Sequence, residues 1–174
     1  MRFLVIVDMQ NDFITGTLGS SEAAAIVPAV VNKVKNFDGA VLFTKDTHLE
    51  GYEDTIEGKM IPPHCTRYSD GCNIVPELKE IAARGTSILK CTFGTKQIEK
   101  AIRDYAMWDL ETVDSIELCG VCTDICVISN ALMLRSAFPE VPIIVDAKCC
   151  AGLTPEKHAA ALSVMESCLI DIVR

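Results

Sequence analysis

Residues 115–134 read SIELCGVCTDICVISNALML. Ser115 to Cys119 form a short apolar run, Gly120 ends it, and Ile125, Ile128 and Leu132 then recur at helical spacing. A buried strand that passes through a glycine into a helix is the repeating half of a βαβ unit. Five further runs read as strands: Phe3 to Val7, Ala40 to Thr44, Ser87 to Lys90, Val141 to Val145 and Leu169 to Val173. Most are continuously apolar rather than alternating, as parallel strands covered on both faces are.

Segments with helical period fill the gaps. Thr154 is placed as an N-cap and Pro155 at the first helical position, ahead of a stripe of Ala161, Leu162, Met165 and Cys168. Ile98, Ile102 and Tyr105 mark another helix after Gly94, and Pro28 places the start of the first helix close to itself. The stretch from Thr47 to Asn73 holds Gly51, Gly58, Pro62, Pro63 and Gly71 with no sustained period. It reads as a long loop, and because it carries two of the three histidines it is expected to be functional. The class is α/β, six strands in one sheet, with residues 1–174 expected to form one domain.

Composition narrows the function. A formal net charge of -8 repels a phosphate backbone, and no basic cluster is interleaved with aromatics, so a nucleic-acid partner is not expected. No apolar run approaches a membrane span, and MRFLVIVDMQNDF does not have the build of a signal or transit peptide. Nine cysteines without such a leader point to a reducing, cytoplasmic setting in which thiols stay free as small buried groups or as chemistry.

In parallel α/β sheets ligands bind beyond the carboxyl ends of the strands. The residues there are Asp8, Asp46 with His48, Lys90, the segment Cys119 to Cys126, and Asp146. Cys126 falls in the first turn of its helix, where free N–H groups and the helix dipole favour a thiolate and can form an oxyanion hole. Asp8 can take the thiol proton and return it to a leaving amine, with Lys90 holding that acid in place. Singly, each has a structural alternative: a buried core cysteine, an aspartate capping a turn, a solvated lysine. Two charges that both follow buried runs, however, imply mutual pairing in one cleft.

Asp46 and His48, two apart in extended chain, share a face, and His64 can return from the loop to complete a set of three with open positions, suited to zinc, iron or manganese. The alternative is a turn-forming aspartate with two solvated histidines. CGVC also matches a redox C-x-x-C, but Cys119 is still within a strand, and a four-ligand cluster lacks partners at the right spacing.

IVDMQNDF at the start, ILK at the end of the third strand and GVCTDICVISNAL resemble the three signatures of the cysteine hydrolases that include nicotinamidases, isochorismatases and N-carbamoylsarcosine amidases. The resemblance implies a three-layer αβα fold with strand order 3-2-1-4-5-6. It implies Asp8 as general acid/base, Lys90 as its partner and Cys126 as nucleophile. A cis peptide between Val121 and Cys122 is implied as well, with the N–H groups of Cys122 and Cys126 as oxyanion hole. Phe13 matches a pocket aromatic that stacks on a planar ring, and a homo-oligomer is common in the family.

Nicotinamidases carry a similar Asp-x-His with a distal His, whose metal binds the pyridine nitrogen, so Asp46, His48 and His64 imply nicotinamide as substrate. Two departures stand out. The interval YEDTIEGKMIPP lacks the further histidine of many nicotinamidases, and the only tryptophan is Trp108. Another small amide, an N-carbamoyl compound or an isochorismate-like ether is the alternative substrate, and a metal or redox thiol protein the alternative outside enzymes. Cys149 and Cys150 have no role in the family pattern.

Overall fold

The computed structural model describes all of residues 1–174. Its elements in chain order are β1 (Arg2–Val7), α1 (Asn11–Ile14), α2 (Ser21–Asn36), β2 (Ala40–Asp46), α3 (Pro76–Arg84), β3 (Thr86–Lys90), α4 (Lys96–Tyr105), β4 (Ser115–Val121), α5 (Ile128–Ala137), β5 (Ile143–Ala151), α6 (Pro155–Ser167) and β6 (Asp171–Val173). All six strands are parallel and lie in the order β3-β2-β1-β4-β5-β6, the topology implied by the resemblance. From β1 the chain winds outward through β2 to β3, then crosses back to β4 and winds the other way. Right-handed crossovers therefore put α2 and α3 on one face and α4, α5 and α6 on the other. The switch point lies between β1 and β4, where a cleft opens at the carboxyl ends.

The centre of the sheet is dry. Phe3 through Val7 are fully buried, as are Leu42, Phe43, Ile116 and Leu118, which is why these strands read as continuous apolar runs. Register then places the polar ends. Val7 lies opposite Gly120 and Asp46 opposite Lys90, so Asp8 emerges beside the start of the Cys122–Cys126 segment, one strand away from the Asp46–Lys90 pair. Gly120 has a φ of 120°, and a Cβ on it would stand 2.1 Å from the Val7 carbonyl oxygen, so only glycine lets the two strands meet there.

Several expectations are corrected. Pro28 lies inside α2, not at its start. The helix begins at Ser21 with the Ser20 hydroxyl accepting from the Ala23 N–H. An internal proline costs about 3 kcal/mol, but Ala23, Ile26, Val27, Val30 and Val34 bury one face of α2 along the sheet and outweigh it. β2 runs on to Asp46, and β5 starts at Ile143 and continues to Ala151 across a register shift opposite Leu118 and Gly120. Asp146 therefore lies inside a strand, and its carboxylate pairs with Lys33 of α2 at 2.6 Å instead of joining the strand-end group. β6 is shorter than expected, Asp171–Val173. On α4, Ile98 and Ile102 are buried but Tyr105 is largely exposed, and Cys168 is the C-cap of α6 rather than part of its buried stripe. The N-cap at Thr154 and Pro155 at the first position of α6 are as read from sequence.

Candidate active site

Asp8 follows β1 with a left-handed φ of 49°, which turns the chain off the sheet and aims its carboxylate across the switch point. Its neighbour on β2, Thr44, holds it twice: the Thr44 hydroxyl accepts from the Asp8 N–H at 3.2 Å and donates to Asp8 Oδ1 at 2.7 Å. Lys90, at the end of β3, brings Nζ to 2.7 Å from Asp8 Oδ2, and both side chains are fully buried. That contact is an ion pair by distance, yet Oδ2 has no partner with hydrogen-bonding geometry. The contact is held by charge and proximity rather than by an aligned hydrogen bond. Lys90 Nζ also donates to Cys126 Sγ at 3.6 Å, so the three residues from β1, β3 and the segment after β4 meet at one point.

Cys126 sits in a wide turn, Thr123–Val127, that precedes α5, with the Val127 N–H bonded to the Cys122 carbonyl at 3.0 Å. The Val121–Cys122 peptide is cis. Sequence alone suggested a thiolate stabilised by a helix start. The structure reverses that expectation: burial raises the Cys126 thiol well above its ordinary value, the Asp8 charge adds to this, and Lys90 offsets only part. This environment favours the thiol over the thiolate. Burial likewise lifts the Asp8 carboxyl above the usual range against the pull of Lys90, which makes it a stronger base than a solvated aspartate. Burial works to lower the Lys90 ammonium, but the carboxylates of Asp8 and Asp46 outweigh it and keep it charged.

A second cluster adjoins the first. Asp46 Oδ1 lies 3.6 Å from Lys90 Nζ, and its Oδ2 lies 3.2 Å from His48 Nε2 and 3.5 Å from His64 Nε2. The two imidazole Nε2 atoms face each other at 3.3 Å. A short parallel bridge of His48 with Thr66 folds the long loop back on itself and delivers His64 there. His64 Nδ1 donates to the Pro62 carbonyl at 2.9 Å, which leaves Nε2 as the lone-pair atom aimed inward, the arrangement that orients metal-binding histidines. Glu57 Oε1 stands 3.8 Å from both Nε2 atoms. Burial opposes ionisation of Asp46, but the bonds to His48 and His64 and the charge of Lys90 hold its carboxyl well below the ordinary range.

These residues fit a divalent ion. Donors at 2.0–2.2 Å around one ion stand about 3 Å or more apart, the separations about His48 and His64 run from 3.2 to 3.8 Å, and two carboxylates balance a 2+ charge on an ion that can expand beyond four ligands to admit a substrate atom. Zinc, iron and manganese all accept such a nitrogen and oxygen set. Glu57 was missed from sequence, because Glu50, Glu53 and Asp54 lie in the same loop and no spacing distinguishes it from them. It stands in the interval where a further histidine was absent.

Above both clusters lies a cavity of about 220 Å³. Cys126, Cys122, Asp46, Glu57 and His64 form its polar floor, and Phe13, Ile61, Phe93, Ile125 and Leu153 are among its apolar walls. Phe13 is buried on α1, its ring set edge-on to that of His64 with the ring centres 5.3 Å apart. No lysine or arginine lines this space. Trp108, Cys149 and Cys150 do not line it; Trp108 is exposed after α4, and the two cysteines are buried in β5.

Known proteins share this architecture. A Bacillus subtilis isochorismatase family protein, PncA, is 29% identical over 93% of this chain and 92% of its own. The nicotinamidase/pyrazinamidase of Mycobacterium tuberculosis is 27% identical over 99% of this chain and 98% of its own. The pyrazinamidase of Pyrococcus horikoshii, solved in complex with zinc, superposes with a TM-score of 0.85 at 28% identity, covering 99% of this chain and 98% of that one. The Isochorismatase domain model matches residues 2–174, so with its sheet order and strand-end site the chain belongs to the isochorismatase family.

Proposed function

We propose that this protein is an amidohydrolase that converts nicotinamide to nicotinate and ammonia through a thioester on Cys126. The observation that carries this reading is a small cavity lined by the buried thiol and by Asp46, Glu57 and His64, three members of the four-residue cluster that His48 completes from behind. It suits a flat, neutral heteroaromatic amide. Relatives named nicotinamidase or pyrazinamidase support the same substrate class. No lysine or arginine lines the cavity to pair with the carboxylate of isochorismate or of an N-carbamoyl amino acid, which favours a neutral amide.

Cys126 Sγ attacks the carboxamide carbon as its proton passes to Asp8 Oδ2. The carbonyl electrons move onto oxygen, which rests against the N–H groups of Cys122 and Cys126. Collapse of this adduct breaks the C–N bond as Asp8 gives its proton to the departing nitrogen, leaving ammonia and a thioester. Asp8 then deprotonates a water that attacks the thioester, and the proton returns to sulfur as the C–S bond breaks. Lys90 stays charged throughout and holds Asp8 and Cys126 in register. Asp46, His48, Glu57 and His64 would hold a divalent ion, a Lewis acid for the ring nitrogen. Phe13 closes the pocket beside His64, where its ring can pack on the substrate.

The test is ammonia release from nicotinamide by purified protein, with chelator and after adding back zinc, iron or manganese. Turnover lost on chelation and restored by one of these metals is the expected result. Release from an N-carbamoyl compound, with none from nicotinamide under any metal, would overturn the substrate assignment.

A further inference from the structure

Asn130 lies one turn beyond Cys126 on α5, is fully buried and does not itself line the cavity, yet it makes three hydrogen bonds that join separate parts of the chain. Its Nδ2 donates to the Cys126 carbonyl at 2.7 Å and to the Phe93 carbonyl at 3.1 Å. Its Oδ1 accepts from the Thr95 N–H at 2.9 Å. Phe93 and Thr95 belong to the short connection that leaves Lys90 and enters α4, and Phe93 is a wall of the cavity that holds Cys126. Gly94 between them lies directly on α5: a Cβ there would stand 2.6 Å from Met133 Sδ and 3.3 Å from Ser129. The connection is thus pressed onto α5 by a glycine and pinned there by one buried amide.

We propose that Asn130 is a positioning residue that sets the width of the substrate pocket by fixing the Phe93 wall relative to Cys126. The proposal rests on the reading of this cavity as an amide pocket. A serine or alanine at 130 cannot span from the Cys126 carbonyl to Thr95, so no other group in α5 takes over the link. Three satisfied bonds on a buried amide also make it rigid, since any displacement of the 93–95 segment strands a donor or an acceptor away from water. Phe93 is 40% exposed, so packing holds only part of it and the backbone anchor contributes to its place.

The test compares wild type with Asn130→Ala and, independently, Gly94→Val, which wedges the same segment off α5 while leaving Asn130 in place. Each is assayed on nicotinamide and on the two-ring amide quinoline-3-carboxamide. Both variants should raise the two-ring to one-ring ratio of kcat/KM by about tenfold, the scale on which an apolar pocket senses one small group, with KM for nicotinamide rising more than kcat falls. A merely structural role would lower both amides alike and leave the ratio at its wild-type value in both variants, which would overturn the proposal. Hydrogen exchange of the 91–96 peptide adds a readout independent of any substrate: faster exchange in Asn130→Ala supports the anchor, and unchanged exchange refutes it. If wild type hydrolyses neither amide, the functional reading fails on its own, and the exchange result still decides whether Asn130 pins the wall.

Discussion

The hydroxyl of Thr44 donates to Asp8 Oδ1 at 2.7 Å, while the other oxygen, Oδ2, faces the Lys90 ammonium at 2.7 Å. Thr44 therefore fixes how the Asp8 carboxylate is turned. Thr44→Val keeps the volume and removes the hydroxyl, so Asp8 can rotate; kcat on the amide substrate should fall by about ten- to a hundredfold with KM changed far less. Steady-state kinetics on the purified variant check this, and a change confined to KM would place Thr44 outside the proton path.

The Asp8–Lys90 pair is fully buried, so removing one partner strands the other. Lys90→Met should cost about 3–5 kcal/mol in a urea melt, whereas Asp8→Asn with Lys90→Met should recover part of it by removing both charges. A double variant no more stable than the single one would show that the pair carries no such penalty.

Cys126 is nearly buried, and its sulfur meets only the Lys90 ammonium among charged donors. Cys126→Ala should abolish hydrolysis while leaving the melting temperature within a few degrees, about the effect of a small cavity. Turnover persisting in this variant would assign the nucleophile elsewhere.

Glu57 Oε1 is equidistant from His48 Nε2 and His64 Nε2 at 3.8 Å, whereas Glu50 is exposed in the same loop. Glu57→Gln is expected to weaken zinc binding by about ten- to a hundredfold in competition titrations, and Glu50→Gln to leave it as in the wild type. Equal affinities for the two variants would remove Glu57 from the ligand set.

Lys33 of α2 bridges Glu117 and Asp146 at 2.6 Å each, fastening the helix to β4 and β5. Burial works to raise the Asp146 carboxyl, but Lys33 outweighs it and holds the carboxyl below its ordinary value. A depressed folded pKa stabilises fully above the unfolded value of about 3.9 and is lost as pH falls through the folded one. Melting temperature followed from pH 7 downward should therefore drop less steeply below about pH 4 in Asp146→Asn than in wild type. Parallel curves would show that this carboxylate contributes no pH-dependent stability.

Much of the fold was legible because buried parallel strands announce themselves as apolar runs, and the ends of those runs named Asp8, Asp46, Lys90 and the Cys119–Cys126 segment before any contact was known. Pro28 misled, because a local propensity of about 3 kcal/mol was set against burial along a whole helix face that no local signal reports. Asp146 misled for a related reason: β5 continues past it, and strand length is decided by the pairing partner rather than by the apolar run.

What the sequence by itself determined is the α/β class, the strand-end residues and the family resemblance, all properties of residue type and spacing along the chain. What only the tertiary structure decided is the protonation of the site and the membership of its clusters. Burial and the Asp8 charge push the Cys126 thiol up against the pull of Lys90, a balance that depends on neighbours distant in sequence. Glu57 and Asn130 likewise acquire meaning only when loops fold back, since a carboxylate among several and an asparagine on a helix look alike until distances of a few ångströms separate them.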